Sequence, residues 1–250
     1  MDQALEGKNG LQLRYAAALA NSIKDGSEHR LKAFEAYAGT SHLTMNRSLA
    51  FALELADEKG VYSTFYQRRD AGLILPDGGE WDRLREAADS RFFGSKKEEI
   101  RFAALSTEGR GLTSYGECTF IPAERFVSHR TSFSEENTAH RLKTRGLPPG
   151  GQPLFQPNEL ADWNNRAQLS VSKSAHQVTP ATPDADFPQL ILKPGANTDQ
   201  DEFVEGHIYG PMTIHSFRSI SVPVSSSRFK KSVIKGLAEK LRKLSITTSA

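Results

Sequence analysis

Apolar and polar positions in the first half of the chain follow two periods. Residues 11–24 (LQLRYAAALANSIK) are Ala/Leu-rich and predict a helix, and a second is expected over 28–38, closing near Gly39. GTSHLTM (39–45) sets His42 and Thr44 against Leu43 and Met45, the alternation of a short strand. Asn46 is a good N-cap for a helix over 47–59 that Gly60 stops. VYSTFY (61–66) is β-rich in composition, and LILPDGG (73–79) contains a turn. Trp81, Leu84 and Ala88 recur at helical spacing over 80–91, while RFAALS (101–106) and YGECTFI (115–121) predict buried strands.

The texture changes after Arg145. Residues 146–158 hold Pro148, Pro149, Pro153 and Pro157 with three glycines, a loop or linker, and the Ser/Thr/Pro-rich stretch 167–188 reads as irregular. QLILK (189–193), FVEGHIYG (203–210) and SISVPV (219–224) read as strands. In the second of these, Phe203, Glu205, His207 and Tyr209 share one face, and Gly206 beside them permits close backbone approach. Residues 228–244 form an amphipathic helix with Phe229, Val233, Leu237, Leu241 and Leu244 on one side. Helices first and strands later predict an α+β fold: N-terminal helices, a β-rich body and a C-terminal amphipathic helix. The expected organisation is one domain over 1–250. It comprises a helical extension at 1–40, a body at 41–224 with a loop-rich insert at 146–188, and the terminal helix at 228–244.

Composition narrows the class. The 250 residues carry 32 Lys+Arg against 30 Asp+Glu, a net +2 that argues against bulk nucleic-acid binding. This balance is a cancellation: 228–243 holds seven basic residues and one acidic, whereas 181–205 holds six acidic residues and only Lys193. The single cysteine, Cys118, excludes an internal disulfide and a Cys-rich zinc site, and reads as a buried, inert thiol. No run approaches the length of a membrane span, and the N-terminus lacks the apolar core of a Sec signal. A cytoplasmic origin is expected, with export by a specialised machine left open.

Phosphate-loop, zincin, nucleophile-elbow and dinucleotide fingerprints are absent, and no two of the seven histidines have metal-ligand spacing. Three polar clusters remain. His42 and Thr44 point to one side of a strand and precede Arg47; the alternative is a solvent-facing edge. Glu205 and His207 share a strand face that Phe203 can wall; the alternative is an ordinary half-exposed strand. Arg130-Thr131-Ser132-Phe133 is a polar patch, or simply a turn at a strand end.

The order of several segments resembles an uncharacterised bacterial family, a domain of unknown function. Its HFHPDR strand is matched by His42 and Arg47 in SHLTMNR, and its Gly–Tyr segment by Gly60 and Tyr62 in KGVYSTFYQ. Its R-x-x-W-E-x-x-L-F-G segment is matched by Arg85, Asp89 and Gly94 in REAADSRFFG. RFAALS, YGECTFI and HRTSFSEEN (129–137) then follow in the family's order, and its YVEAQVHGPV is matched by FVEGHIYGPM with Glu205 and Gly210. The family's SNG segment and GDS end have no counterpart here.

The layout is similar to that of ADP-ribosyltransferase toxins and effectors, which set a His or Arg on an early strand and a catalytic Glu on a late one. The resemblance implies that NAD is the substrate. Glu205 would be catalytic, with His207 at its partner position; His42 or Arg47 would bind NAD and Tyr62 would stack on nicotinamide. Thr44 and Arg130 would be further NAD-binding candidates. A carboxylate beside the ribose suits an oxocarbenium-like state. A shared site requires Glu205 within about 15 Å of His42, the reach of one nicotinamide-ribose unit with hydrogen bonds near 3 Å. Replacing Glu205 with Ala is expected to abolish activity and cost under about 1 kcal/mol, as exposed substitutions do.

The expected function is therefore a bacterial effector or toxin that transfers ADP-ribose to a protein target, a host-cell protein being one such target, or hydrolyses NAD. Two other readings stand beside it. One is a non-enzymatic secreted module that binds a host protein, or a membrane surface through Arg228, Lys230, Lys231 and Lys235. The other is acid–base chemistry by His42 and His207.

Overall fold

The structure, a computed structural model, describes residues 2–57, 60–74 and 79–249. In chain order the elements are α1 (Asp2–Asp25), α2 (Glu28–Gly39), β1 (His42–Arg47), α3 (Leu49–Leu55), α4 (Phe65–Asp70), α5 (Glu80–Phe93), β2 (Ile100–Ser106), β3 (Cys118–Pro122), α6 (Glu124–Val127), β4 (Thr131–Ser134), α7 (Thr138–Arg145), β5 (Leu160–Asp162), α8 (Arg166–Ser174), α9 (Phe187–Ile191), β6 (Leu192–Lys193), β7 (Glu202–Phe203), β8 (Glu205–Tyr209), β9 (Phe217–Ser221), α10 (Arg228–Lys243) and β10 (Thr247–Ser249). Eight strands form one sheet in the order β10-β9-β3-β1-β2-β8-β4-β5, and β6 pairs with β7. Only β9 and β10 run parallel among the described strand pairs. The α-and-β character is as expected, with helices at the N-terminus, but helix exceeds strand (55% against 18%), so the body is not β-rich.

Register fixes which residues meet. Thr44 pairs with Ala104, Ala104 with Glu205, and Glu205 with Ser134, so these four lie in one row across β1, β2, β8 and β4. Directly paired residues share a face. The next row on that face runs Phe102–His207–Ser132. The alternate positions Leu43, Leu105, Ala103, Gly206, Phe133 and Ile208 form the other face. Leu43, Leu105, Phe133 and Ile208 join one apolar cluster with Leu31 and Phe34 of α2 and Leu169 and Val171 of α8. A Cβ on Gly206 would stand 2.6 Å from Leu43 Cδ2, so the close approach here is by a core side chain.

Several elements differ from the sequence reading. Asn46 stays in β1, and Ser48 caps α3 by accepting from Phe51 N at 3.2 Å. The 61–66 stretch is not a strand. Val61 makes an isolated bridge to Thr213, and Thr64 caps α4 in a capping box with Gln67. Residues 189–191 belong to α9, which leaves a strand of only Leu192 and Lys193. The Ser-rich stretch after 166 forms α8 rather than an irregular loop. The turn expected at 73–79 lies largely outside the described residues, because 75–78 are not described. Among the described residues, no helix is long and apolar enough to cross a membrane.

Candidate functional site

A cavity of about 380 Å³ opens on the polar face of the sheet, within the usual size range of small-molecule sites. Its walls include Thr44, Asn46 and Arg47 of β1, Phe51 of α3, Arg85 of α5, Phe102 and Ala104 of β2, Tyr115, Asn137, Phe203 and Glu205.

Glu205 is buried on the cavity floor and held by four hydrogen bonds. Asn137 Nδ2 donates to Oε1 at 2.7 Å. Thr138 N and Thr138 Oγ1 each donate to Oε2 at 2.9 Å, and His207 Nε2 lies 3.3 Å from the same oxygen. Asn137 also caps α7, accepting from His140 N at 2.9 Å. The carboxylate therefore sits at the N-terminus of a helix, where unpaired N–H groups and the helix dipole favour negative charge. Three of the donors converge on Oε2, which leaves Oε1 the freer oxygen for a ligand.

His207 is fully buried behind Glu205, edge-on to Phe92, Phe93 and Phe102. The hydrogen-bond network assigns its tautomer. Ser134 Oγ donates to Glu136 O at 2.8 Å, so toward His207 Nε2, at 3.3 Å, it acts as an acceptor. Nε2 then carries the proton, shared between Ser134 Oγ and Glu205 Oε2. Nδ1 accepts from Ser132 Oγ at 3.4 Å. In this arrangement His207 orients the carboxylate.

The opposing wall is cationic. Arg85 lies over the Phe102 ring at 5.1 Å and makes no hydrogen bond or ion pair among the described residues. Burial works against its charge, but Asp89 and Glu205 outweigh that and raise its pKa. Asp89, one turn along α5, is itself buried. Its Oδ2 accepts from the Tyr66 hydroxyl at 2.8 Å, while Oδ1 has no hydrogen-bond partner among the described residues. Burial pushes this carboxyl up to about 6, against the pull of Arg85 and the Tyr66 bond. Arg47 contributes a second guanidinium, which donates to Asn46 O at 2.8 Å and has no carboxylate partner among the described residues. Arg68 also lines the cavity but is bound to both oxygens of Glu54 at 2.8 Å.

Asn46 shapes a third wall. Its Oδ1 accepts from Leu112 N at 2.9 Å, and its Nδ2 donates to Gly116 O at 3.0 Å and Thr119 Oγ1 at 3.1 Å. The loop passes so close that a Cβ on Gly111 would stand 1.7 Å from Asn46 Oδ1. Gly116 meets the Arg47 backbone with φ +142, where a side chain would be both strained and obstructed. The loop presents Tyr115 to the cavity, packed on Phe203 with ring centroids 6.4 Å apart. Burial, with Glu205 nearby, raises the Tyr115 pKa, so its hydroxyl stays protonated.

Of the residues expected from sequence, Glu205, Thr44 and Arg47 meet in this cavity. The others do not line it. Tyr62 is fully buried in the core against Phe51, Phe120 and Phe217, so it cannot stack on a ligand. It instead supports Arg47, whose guanidinium lies 5.2 Å from its ring centroid. His42 is two residues along β1 from Thr44 and two strands from Glu205, about 12 Å between Cα atoms by strand geometry. That separation is within the expected reach, but the imidazole lies outside the cavity walls. Burial, reinforced by Arg218, pushes its pKa down to about 4, so it is neutral at pH 7 and supplies no cation for a phosphate. His42 and His207 are about 17 Å apart by the same geometry, which excludes an acid–base pair. Arg130 is spent on backbone carbonyls of Phe126, Tyr209 and Pro211. Cys118 is buried, and burial pushes its thiol up to about 11, consistent with an inert role.

Arg85, Tyr115 and Asn137 were not picked out as site residues from the sequence. Arg85 carried a signal: with Asp89 it forms a charged i,i+4 pair beside the Trp81–Leu84–Ala88 stripe that turns α5 inward. Asn137 and Tyr115 carried none, because their positions depend on loop paths. No family model matches this chain, and no curated protein is significantly similar to it.

Proposed function

We propose that the cavity binds NAD and that Glu205 promotes departure of nicotinamide, so that ADP-ribose passes to a protein acceptor or to water. One observation carries this reading. A carboxylate fixed by four donors faces the same cavity as two guanidinium groups that form no salt bridge among the described residues. The carboxylate suits a sugar that develops positive charge, and the guanidiniums suit a diphosphate. In the reaction, the bond between ribose C1 and the nicotinamide nitrogen breaks and nicotinamide leaves with the electron pair. Carboxylate Oε1 stabilises the positive C1, and the acceptor oxygen or nitrogen adds there and loses its proton. Arg47 on the first strand and Glu205 on a late strand agree with the transferase-like layout. Tyr115 takes the aromatic role expected of Tyr62, because it is the tyrosine in the cavity wall. At about 380 Å³ the cavity suits the nicotinamide–ribose–phosphate part of the dinucleotide, with the adenosine lying outward.

The test uses Glu205→Gln rather than Glu205→Ala. Glu205 is 1% exposed, so truncation would remove the acceptor of Asn137 Nδ2, Thr138 N and Thr138 Oγ1 and cost about 1–3 kcal/mol or more. The expectation that Ala at this position costs under about 1 kcal/mol is thereby corrected, because Glu205 is not an exposed residue. Full-length protein is incubated with NAD and a cell lysate, and free nicotinamide and protein-bound ADP-ribose are measured. The Gln variant keeps an acceptor for the three donors at Oε2 but sets its amide nitrogen against Asn137 Nδ2, so it should stay folded while melting below the wild type, and should release nicotinamide on the order of 100-fold more slowly. Absence of nicotinamide release together with no NAD binding by calorimetry would overturn the proposal, as would an unchanged rate in the Gln variant.

A further inference from the structure

The geometry points to the N-terminal end of α10 as a docking tip for an anionic bilayer surface. The apolar stripe of α10 is already in use: Leu237 and Leu241 are buried in the core, with Val233 and Ile234 packed against it. Sequence periodicity places Phe229 on that stripe, yet it is 78% exposed, and Val224 just before the helix is 83% exposed. These are the two most exposed of the large apolar side chains described. Arg228, Lys230 and Lys231 surround Phe229, and Lys235 follows one turn later. None of these four cations has a carboxylate partner among the described residues, whereas Lys240 is paired with Asp57 at 2.6 Å.

An apolar side chain set among unpaired cations matches a lipid interface, where Phe enters the acyl boundary and Lys or Arg meets anionic headgroups. A phosphodiester backbone would use the cations but leave Phe229 and Val224 idle. The charge distribution sets the orientation. Of the chain's net +2, residues 228–243 carry +6, so the rest carries −4. An anionic surface therefore attracts this end of the molecule and repels the remainder. The packed stripe keeps α10 attached to the core while the tip docks.

Full-length protein is sedimented with phosphatidylcholine vesicles, with and without about 30% phosphatidylserine, at low and high salt. Binding should require phosphatidylserine and weaken at least tenfold between about 50 and 500 mM salt, as screening shortens the reach of the cations. K230E/K231E should lower binding at least tenfold, since each basic residue near the surface is worth about fivefold. F229S should lower it several-fold. Both variants should melt with the wild type, because these side chains are exposed. No binding to the anionic vesicles at low salt would overturn the inference. So would wild-type binding by the charge variant, or tighter binding to duplex DNA than to vesicles with F229S inert in both.

Discussion

The two faces of the central strands differ by one residue in sequence and by everything in chemistry. On β8, Glu205 and His207 point one way and Gly206 and Ile208 the other; on β4, Ser134 and Phe133 divide in the same manner. All six are buried. On the apolar side, contact and exclusion of water suffice, and Gly206 only has to clear Leu43. On the other side, every buried polar group needs a partner. The chain supplies partners from outside the sheet, with Asn137 and Thr138 at the start of α7 and aromatic rings of α5 around His207. A sheet face is usually buried with apolar side chains. A face buried with a carboxylate, an imidazole and hydroxyls needs a purpose beyond folding, and the cavity lies on that face.

The largest effect expected is on the apolar face. Phe133→Ala removes a fully buried ring that touches Trp163, and should cost about 3–5 kcal/mol in urea denaturation. A loss under about 1 kcal/mol would mean that the polar face, not the apolar one, carries the fold. The next effect concerns pH, in the layer above the polar face. Asp89 has its pKa raised to about 6 when folded, against 3.8 as an ordinary carboxyl. The folded state then holds the extra proton between those values, so this group's contribution falls as pH rises from about 4 to 6. His42 acts in the opposite sense. Its folded value of about 4 lies below the ordinary 6.5, so its contribution rises with pH through the same window. The wild type should therefore show a flattened profile. Asp89→Asn should uncover a rise of about 1–2 kcal/mol between pH 4 and 6.5, to which His42 contributes at roughly 1.4 kcal/mol per unit with a discount for its partial exposure. A variant whose stability stays flat would remove the buried-carboxyl account.

Strand alternation alone was enough to place Thr44, Glu205 and His207 on polar faces, because a period of two leaves little freedom. It could not show that Thr44 and Glu205 share a row, since that requires β2 to lie between them, a long-range pairing. The 61–66 stretch departs from its strand reading for a different reason. VYSTFY has strand composition, but Thr64 inside it and Gln67 just beyond it form the capping box that starts α4, and local capping outweighs a weak strand preference. The helix α8 was hidden by its serines. In the fold Ser170 donates to Arg166 O and Ser174 to Leu190 O, while Ser172 Oγ has no hydrogen-bond partner among the described residues, and Leu169 and Val171 reach the core. Arg85 was passed over because a charge beside an apolar stripe reads as solvated when no cavity is known to face it.

The smallest expected effect discriminates most finely between the two faces. Ser134 is fully buried and holds Glu136 O with its proton and His207 Nε2 with its lone pair. Ser134→Ala should cost about 1 kcal/mol, well below its neighbour Phe133, because only one modest bond and part of a second are lost. The structural consequence is more informative than the energy. Without Ser134, Nε2–H has only Glu205 Oε2 as acceptor, so the imidazole should remain protonated at Nε2 and its bond to the carboxylate should shorten. Nitrogen-15 spectra of the histidine ring report this directly: Nε2 should carry the proton in both wild type and variant, and Nδ1 should be bare. Protonation at Nδ1 in the wild type would make Nε2 an acceptor and turn its contact with Glu205 into a repulsion between lone pairs. The polar face would then carry a defect where the present geometry has a fixed carboxylate, and Glu205 would lose the support that sets it apart from an ordinary buried acid.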